Sequence, residues 1–474
     1  MKNISTIISF FILPSIIFGQ TVTMSESLAI RDDVSYEIIN DQRGNVLLFR
    51  DKGNKFEVQA FDSLMQMAWD KEIELDKKRP EIIKVAPMGG DFSVIYQFRQ
   101  KLDLVLKIHR YNPGANLVDS LTIKNFGSKF YPPRMETAIS ENKRVALVWF
   151  IEQGNQVSLL AFHMSRMKLL WEKTIVLDDF LFQRDFRQML VDNKGNMFMV
   201  LEKENRRSKN ASPYFEILKC GLETGEEIQK ISCDMQGNLI YDAYFTIDNL
   251  NDNLIAGGFY STDNLSKAEG LYYLSIPIDD YNNIKYAFHP FDAEFISVVL
   301  EKEKIKNKGL PEVSVQELVM RQDGGIILVG ELNKAFQRGM STISAYSRTG
   351  LRPIIDYYYD DVFLISVHPS GDVHWKVILH KKQYSQDDEA AYSSYFLAKT
   401  PAALRVIFND EIKSSNTVSE YVINGNGEYD RNAVMNTERK ELSLRFRDAV
   451  QTAANQIIVP SERRNKLKLV KITY

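Results

Sequence analysis

Tryptophan marks the same place in a repeated pattern three times along this 474-residue chain. Trp69-Asp70-Lys71-Glu72-Ile73, Trp171-Glu172-Lys173-Thr174-Ile175 and Trp375-Lys376-Val377-Ile378 each end a unit of about 50 residues that holds four short apolar runs. Turn residues separate the runs: Gly89-Gly90-Asp91, Pro113-Gly114, Asn193-Lys194-Gly195-Asn196, Asp323-Gly324 and Ser370-Gly371-Asp372. Apolar runs punctuated in this way read as antiparallel strands. A four-stranded sheet buries its faces only against neighbours, and repetition around an axis supplies them on both sides. The pattern therefore predicts an all-β chain folded as a β-propeller.

Four runs per blade, counted from the channel outward, give eight blades, with seven as the alternative. The second blade is the clearest, at 82–88, 92–98, 102–111 and 117–124. The sixth takes 314–320, 325–331, 362–367 and 373–380. The last three runs, 444–450, 456–460 and 466–474, leave a blade one strand short, and 21–29 supplies it. The N-terminal strand is thus expected to close the ring and remove a free sheet edge.

Residues 1–19 read as a signal peptide: Lys2, an apolar stretch from Ile7 to Phe18 broken by Pro14, and Gly19 before the cleavage point. The stretch is too short to span a bilayer, and no cysteine follows it for lipid attachment. Residues 20–474 are expected to form a single domain. Lys2 is the leader's one charged residue, so the net charge of −3 becomes −4 on cleavage. With no long basic run, nucleic acid is not an expected partner. The two cysteines, Cys220 and Cys233, fall in one hairpin around Thr224-Gly225. Aligning Cys220 with Gln229 offsets them by four residues, about 13 Å. That is too far for a disulfide, so two free buried thiols are expected.

In a propeller of this connectivity, the loop after each outer strand and the loop between the second and third strands share one rim. Every long insertion falls on that rim: 203–213, 289–313, 334–361 and 381–391. Loops beyond about 12–15 residues are uncommon in compact domains and are usually functional or disordered; finding the insertions on one rim is read as a working face. In 289–313, Asp292 is placed to cap a helix carrying Phe295, Val298, Val299 and Ile305, with Gly309 and Pro311 as its stop. The partner-binding residues expected on this face are Tyr357, Tyr358, Tyr359, Arg338, Arg352, Arg206 and Arg207. Tyr and Arg are enriched where binding energy concentrates.

Motifs for chemistry are sparse. His368, His374 and His380 share a hairpin, but the expected register pairs His368 with Val373 and His374 with Val367 and leaves His380 far along the strand. No converging zinc site follows. Asp387-Asp388-Glu389 lacks the spacing and glycine of a calcium loop. No phosphate-binding glycine loop or nucleophile elbow appears. No metal or cofactor is expected. A propeller enzyme can still gather acids and histidines from different blades, so the second reading is a hydrolase or lyase acting on glycans, with Asp387, Asp388 and His289 near the channel mouth. A third is a small-ligand binder using the channel.

The stretches Met164-Ser165-Arg166-Met167-Lys168-Leu169-Leu170-Trp171-Glu172-Lys173 and His368-Pro369-Ser370-Gly371-Asp372-Val373-His374-Trp375-Lys376 resemble degenerate blade endings of quinoprotein-type propellers. The vicinal cysteine pair of quinoprotein alcohol dehydrogenases is missing, which argues against a quinone. Eight-bladed relatives without cofactor include outer-membrane assembly scaffolds. Asp62-Ser63-Leu64 and Asp119-Ser120-Leu121 are similar to the O-glycosylation pattern of Bacteroidetes envelope proteins, and Gln20 directly after the leader also resembles that group. The terminal run 466–472 is used as a blade strand rather than a sorting domain. The resemblance implies an exported periplasmic or outer-membrane-associated protein, not a lipoprotein. Its expected role is a non-catalytic scaffold docking an envelope protein complex, such as a plug-like accessory subunit of an export system.

Overall fold

The computed structural model of the protein describes residues 20–474 except 41–45, 78, 208–211, 223–226, 303–308, 339–353, 413–416 and 438–439. Eight antiparallel sheets follow one another along the chain, at 35–73, 81–128, 136–176, 186–234, 239–290, 313–386, 395–436 and 450–473. Each is an eight-bladed β-propeller's blade, with strands joined in chain order. The eighth is completed by the N-terminus. Thr21–Met24 pairs along Lys466–Thr473, Val22 opposite Ile472 and Met24 opposite Val470, and Leu28–Ala29 adds a second short pairing to the same strand.

Residue choice follows position in the blade. The second and third strands are sandwiched between neighbouring blades, so they are apolar on both faces. In Val145–Glu152, six consecutive residues are buried. Outer strands touch a neighbour only in part, and Lys168–Val176 accordingly alternates exposed and covered side chains. Eight apolar clusters result, one per junction. One joins Ile39, Leu47 and Phe49 of blade one to Phe92 and Val94 of blade two. Another joins Val329 and Leu364 of blade six to Val406 and Phe408 of blade seven. The ring is completed by Ile458 and Leu469 of blade eight packing on Val46 and Leu48 of blade one.

The recurring tryptophans have a physical role. Trp171 Nε1 donates to Gly195 O in a tight turn of the next blade at 2.8 Å. Trp375 Nε1 donates to Gly425 O in blade seven at 3.0 Å. The Trp375 ring lies against Gly427, whose φ of +84° is left-handed and where a Cβ would come within 2.7 Å of the ring. Each indole therefore latches one blade to the next on the short-loop rim. Trp69 sits against the junction of blades one and two.

The cysteine expectation holds, with a different reason. Lys219, not Cys220, stands opposite Gln229. Cys220 belongs to the cluster between blades three and four, and Cys233 to that between four and five. The thiols occupy opposite faces of one blade and are free and buried. Burial raises the Cys220 thiol to about 11 and the Cys233 thiol to about 12. Since the thiolate is the reactive form, both are expected to label with a disulfide reagent at pH 8 more than about a hundredfold slower in the native protein than in urea. Fast native labelling would mean that these junctions open readily.

The helix in the 289–313 insertion forms at Ala293–Leu300, with Asp292 accepting from Phe295 N at 2.7 Å. Phe295, Ile296 and Val299 are buried, whereas Val298 points outward. Ile305 lies outside the described residues. The 334–361 insertion differs from the loop expected. Its stems continue the second and third strands of blade six, to Ile326–Arg338 and Ile354–Val367. Gln383–Gln386, expected within a loop, pairs with the second of them. The histidine register also differs. A bulge after Ser366 pairs Val367 with Val373, and the His368 and His374 rings meet at 4.5 Å.

Candidate functional site

The three-stranded extension of blade six, hereafter the crown, stands above the long-loop rim. Lys334 lies opposite Tyr358, which lies opposite Tyr384. Two residues along the strands, Phe336 lies opposite Asp356, and Asp356 opposite Gln386. Because side chains alternate along a strand, Phe336, Ile354, Tyr358 and Tyr384 share one face, at 51%, 40%, 37% and 45% exposed. The Tyr358 and Tyr384 rings are 5.2 Å apart.

Arg338 is fixed on this face. Its guanidinium forms a two-pronged ion pair with Asp356, through Nε to Oδ2 and through Nη2 to Oδ1 at 2.7 Å. Tyr384 OH donates to the same Oδ1 at 2.8 Å. Together they cover Asp356, and Arg338 holds its carboxyl below the usual range. A guanidinium and a phenol tied down in this way give up little further freedom on binding. A hollow of about 430 Å³ opens beside them, lined by Leu332, Asn333, Lys334, Phe336, Tyr358 and Asp360.

The period of two splits the tyrosine run. Tyr358 is on the exposed face, while Tyr357 and Tyr359 turn to the other and are half-buried. The Arg447 guanidinium, from the segment before blade eight, lies 4.4 Å from the Tyr359 ring centre. Arg206 and Arg207 stand apart, on blade four's part of the rim. Arg206 pairs with Glu204 at 3.3 Å, and Arg207 with Asp263 at 2.8 Å. Arg352 lies outside the described residues.

Beneath the crown lies a buried ion pair, Lys381 Nζ to Glu331 Oε1 at 2.7 Å, with side chains 1% and 0% exposed. Lys381 also donates to Tyr359 O at 3.0 Å and to Gln383 Oε1 at 3.3 Å. Ser394 Oγ donates to Glu331 Oε2 at 2.8 Å. Gln383 Nε2 reaches Asn409 O at 2.6 Å. Burial pulls the Lys381 ammonium downward against the opposing pull of Glu331. This network seats the crown on blade seven. Sequence reading missed it, because its members are scattered over residues 331–409.

The glycan-enzyme residues do not assemble. His289 belongs to the outer strand Lys285–Pro290, on the outside of the ring, with Nε2 bonded to Gly371 O at 2.7 Å. Asp387 closes the crown's edge, accepting from Ile355 N at 2.8 Å. Asp388 accepts from Ser385 Oγ and Ala390 N. The two acids hold loop structure rather than facing a common point with His289. His380, by contrast, meets partners that its sequence neighbours do not supply. Its Nδ1 is 2.8 Å from Asp361 Oδ2, and ligand-type atoms of Glu301, Asp361 and His380 all lie within 4.8 Å of one another.

Two exposed aromatics on the same rim also escaped the sequence reading. Phe130 and Tyr131, 84% and 80% exposed, pack edge to face at 4.7 Å between blades two and three. Arg99 holds their loop by donating to Lys129 O and Phe130 O. The signal was the Phe130-Tyr131-Pro132-Pro133 run, two large apolar side chains ahead of prolines that end a strand.

No known protein family matches the chain, and no curated protein is similar to it in sequence. Solved structures are similar at the level of the fold. Porphyromonas gingivalis dipeptidyl peptidase 4 is 9% identical, with 90% of this chain and 56% of that one covered and a TM-score of 0.46. The β-propeller domain of the trilobed protease from Pyrococcus furiosus is 8% identical, with 87% and 98% covered and a TM-score of 0.36. A polysaccharide lyase, an ulvan lyase, is 10% identical, with 82% and 92% covered and a TM-score of 0.36. Similarity this remote extends to the fold and not to any activity.

Proposed function

We propose that this protein is a non-catalytic binding or scaffold propeller of the cell envelope, which docks a protein partner through its long-loop rim. The observation that carries the reading is the crown: a rigid, partly apolar face bearing Phe336, Ile354, Tyr358 and Tyr384 around a pinned Arg338. Aromatic and arginine side chains in a preorganised patch beside a hollow suit a protein interface. Among the residues first expected to bind, Arg338 and Tyr358 lead. Tyr357 and Tyr359 support them from behind, and Arg206 and Arg207 contribute from blade four. Export, residence in the periplasm or at the outer membrane, and service as a plug-like accessory subunit of an export complex belong to the same proposal. The leader-like 1–19 segment motivates it and lies outside the described residues. Among the described residues, no helix is long and apolar enough to cross a membrane.

Affinity purification from detergent-solubilised envelopes is expected to return a stoichiometric envelope partner. Replacing Phe336 and Tyr358 together by alanine is expected to weaken that complex at least about thirtyfold, a loss of about 2 kcal/mol. Arg206→Ala with Arg207→Ala is expected to do less, because exposed ion pairs contribute about 0–1 kcal/mol. A protein that copurifies with no partner, or whose partner tolerates the Phe336/Tyr358 change, contradicts the reading.

A further inference from the structure

Glu301, Asp361 and His380 come from three separate stretches: the end of the Ala293–Leu300 helix, blade six's third strand and the end of its outer strand. Asp361 is buried, its side chain 3% exposed, while the His380 and Glu301 side chains are 50% and 49% exposed and open to solvent. We propose that these three side chains form a site for a divalent borderline cation, zinc being the ion whose preferences they fit best. One imidazole and two carboxylates are an ordinary donor set for zinc, which takes nitrogen and oxygen at about 2.0–2.2 Å. Two such ligands on one ion stand about 3 Å apart, and His380 Nδ1 and Asp361 Oδ2 already stand at 2.8 Å. A calcium site, by contrast, would be built from oxygen alone.

The remaining contacts define what must move. Asp361 Oδ1 accepts from Lys381 N at 3.2 Å, which orients the carboxylate and leaves Oδ2 for the ion. Glu301 is held away by an ion pair with Lys382. Both side chains are largely exposed, so Glu301 can turn toward the other two ligands at small cost. Charge favours the exchange. Three carboxylates, Glu301, Asp360 and Asp361, gather near the Lys382 ammonium, while Lys381 is paired with buried Glu331. Three protein donors leave a coordination position for water or for a ligand arriving at the rim. A bound ion would also tie the helix-bearing insertion to the base of the crown, because Glu301 is that helix's C-cap, in left-handed conformation with φ of 50°.

The test is calorimetric titration of zinc chloride into tag-free, chelator-stripped protein, with magnesium as the control. The expected result is one saturable zinc site per chain and no comparable magnesium binding. His380→Ala and Glu301→Gln alter exposed side chains and should leave the fold intact. Each is expected to weaken zinc at least about tenfold, the lower end of what losing even an outer-shell partner costs. Lys382→Ala, which releases Glu301, is expected to tighten it. Wild-type protein that takes up no zinc, or His380→Ala protein that takes it up equally well, overturns the assignment. Neither result bears on whether the crown docks a protein.

Discussion

Lys381→Met is expected to destabilise the protein by about 3–5 kcal/mol, because it leaves Glu331 buried without its counter-charge. Both side chains are essentially inaccessible, so water cannot replace the lost ammonium without opening the junction between blades six and seven. Methionine keeps most of the lysine's volume, so the loss reports the charge rather than a cavity. Pairing it with Glu331→Leu should restore most of the stability, since an apolar pair of similar volume is often no worse than a buried ion pair. The double variant still forfeits the Ser394 hydroxyl's acceptor, a penalty of about 1 kcal/mol. Urea denaturation of the wild-type, single and double variants measures all three. A single-variant loss below about 1 kcal/mol would show that Glu331 is rehydrated at little cost and that the crown's seat is not dry.

Deleting Gln20–Ile30 is expected to have the other large effect. Six paired positions along Lys466–Thr473 disappear with it. Each ladder hydrogen bond contributes about 1 kcal/mol net. Val22 and Met24 are also removed from the apolar cluster joining blades seven and eight. What remains is an uncovered edge strand, Lys466–Thr473, whose residues Leu467, Leu469, Val470 and Ile472 are otherwise buried. Exposed apolar edges pair with other chains. The truncated protein is therefore expected to elute as soluble aggregate or to precipitate, and to unfold several kcal/mol more easily where it stays monomeric. A monomer of unchanged melting temperature would mean that the junctions hold the ring without the closing strand.

The blades were legible in the sequence because each carries its own punctuation. Asn193-Lys194-Gly195-Asn196 and Ser370-Gly371-Asp372 mark turns that the structure places between paired strands, and the apolar runs between them are long enough to be buried on both faces. Closure was legible by subtraction, three C-terminal runs needing a fourth. The crown was not. Its stems mix Lys334, Gln337, Asp356 and Tyr358 with apolar residues, because they rise clear of the neighbouring blades and bury little. Without the burial that makes strands apolar, they read as loop. The cluster of Glu301, Asp361 and His380 was invisible for another reason. Its members are contributed by a helix end, the middle of one strand and the end of another, and no spacing rule links positions 60 and 19 residues apart. The His368–His374 contact was missed because one bulge shifts the register.

Blade eight also fixes a schedule. Its strands come from opposite ends of the chain, Thr21–Met24 and Lys466–Thr473. During synthesis the earlier blades can form in turn as each emerges, every new sheet finding a partner in the one before it. The first strand must wait, unpaired, through the making of seven blades. Ring closure is thus a post-synthetic event with a long loop-closure cost. Until then the chain is an open arc whose two unpaired ends are the parts most in need of shielding.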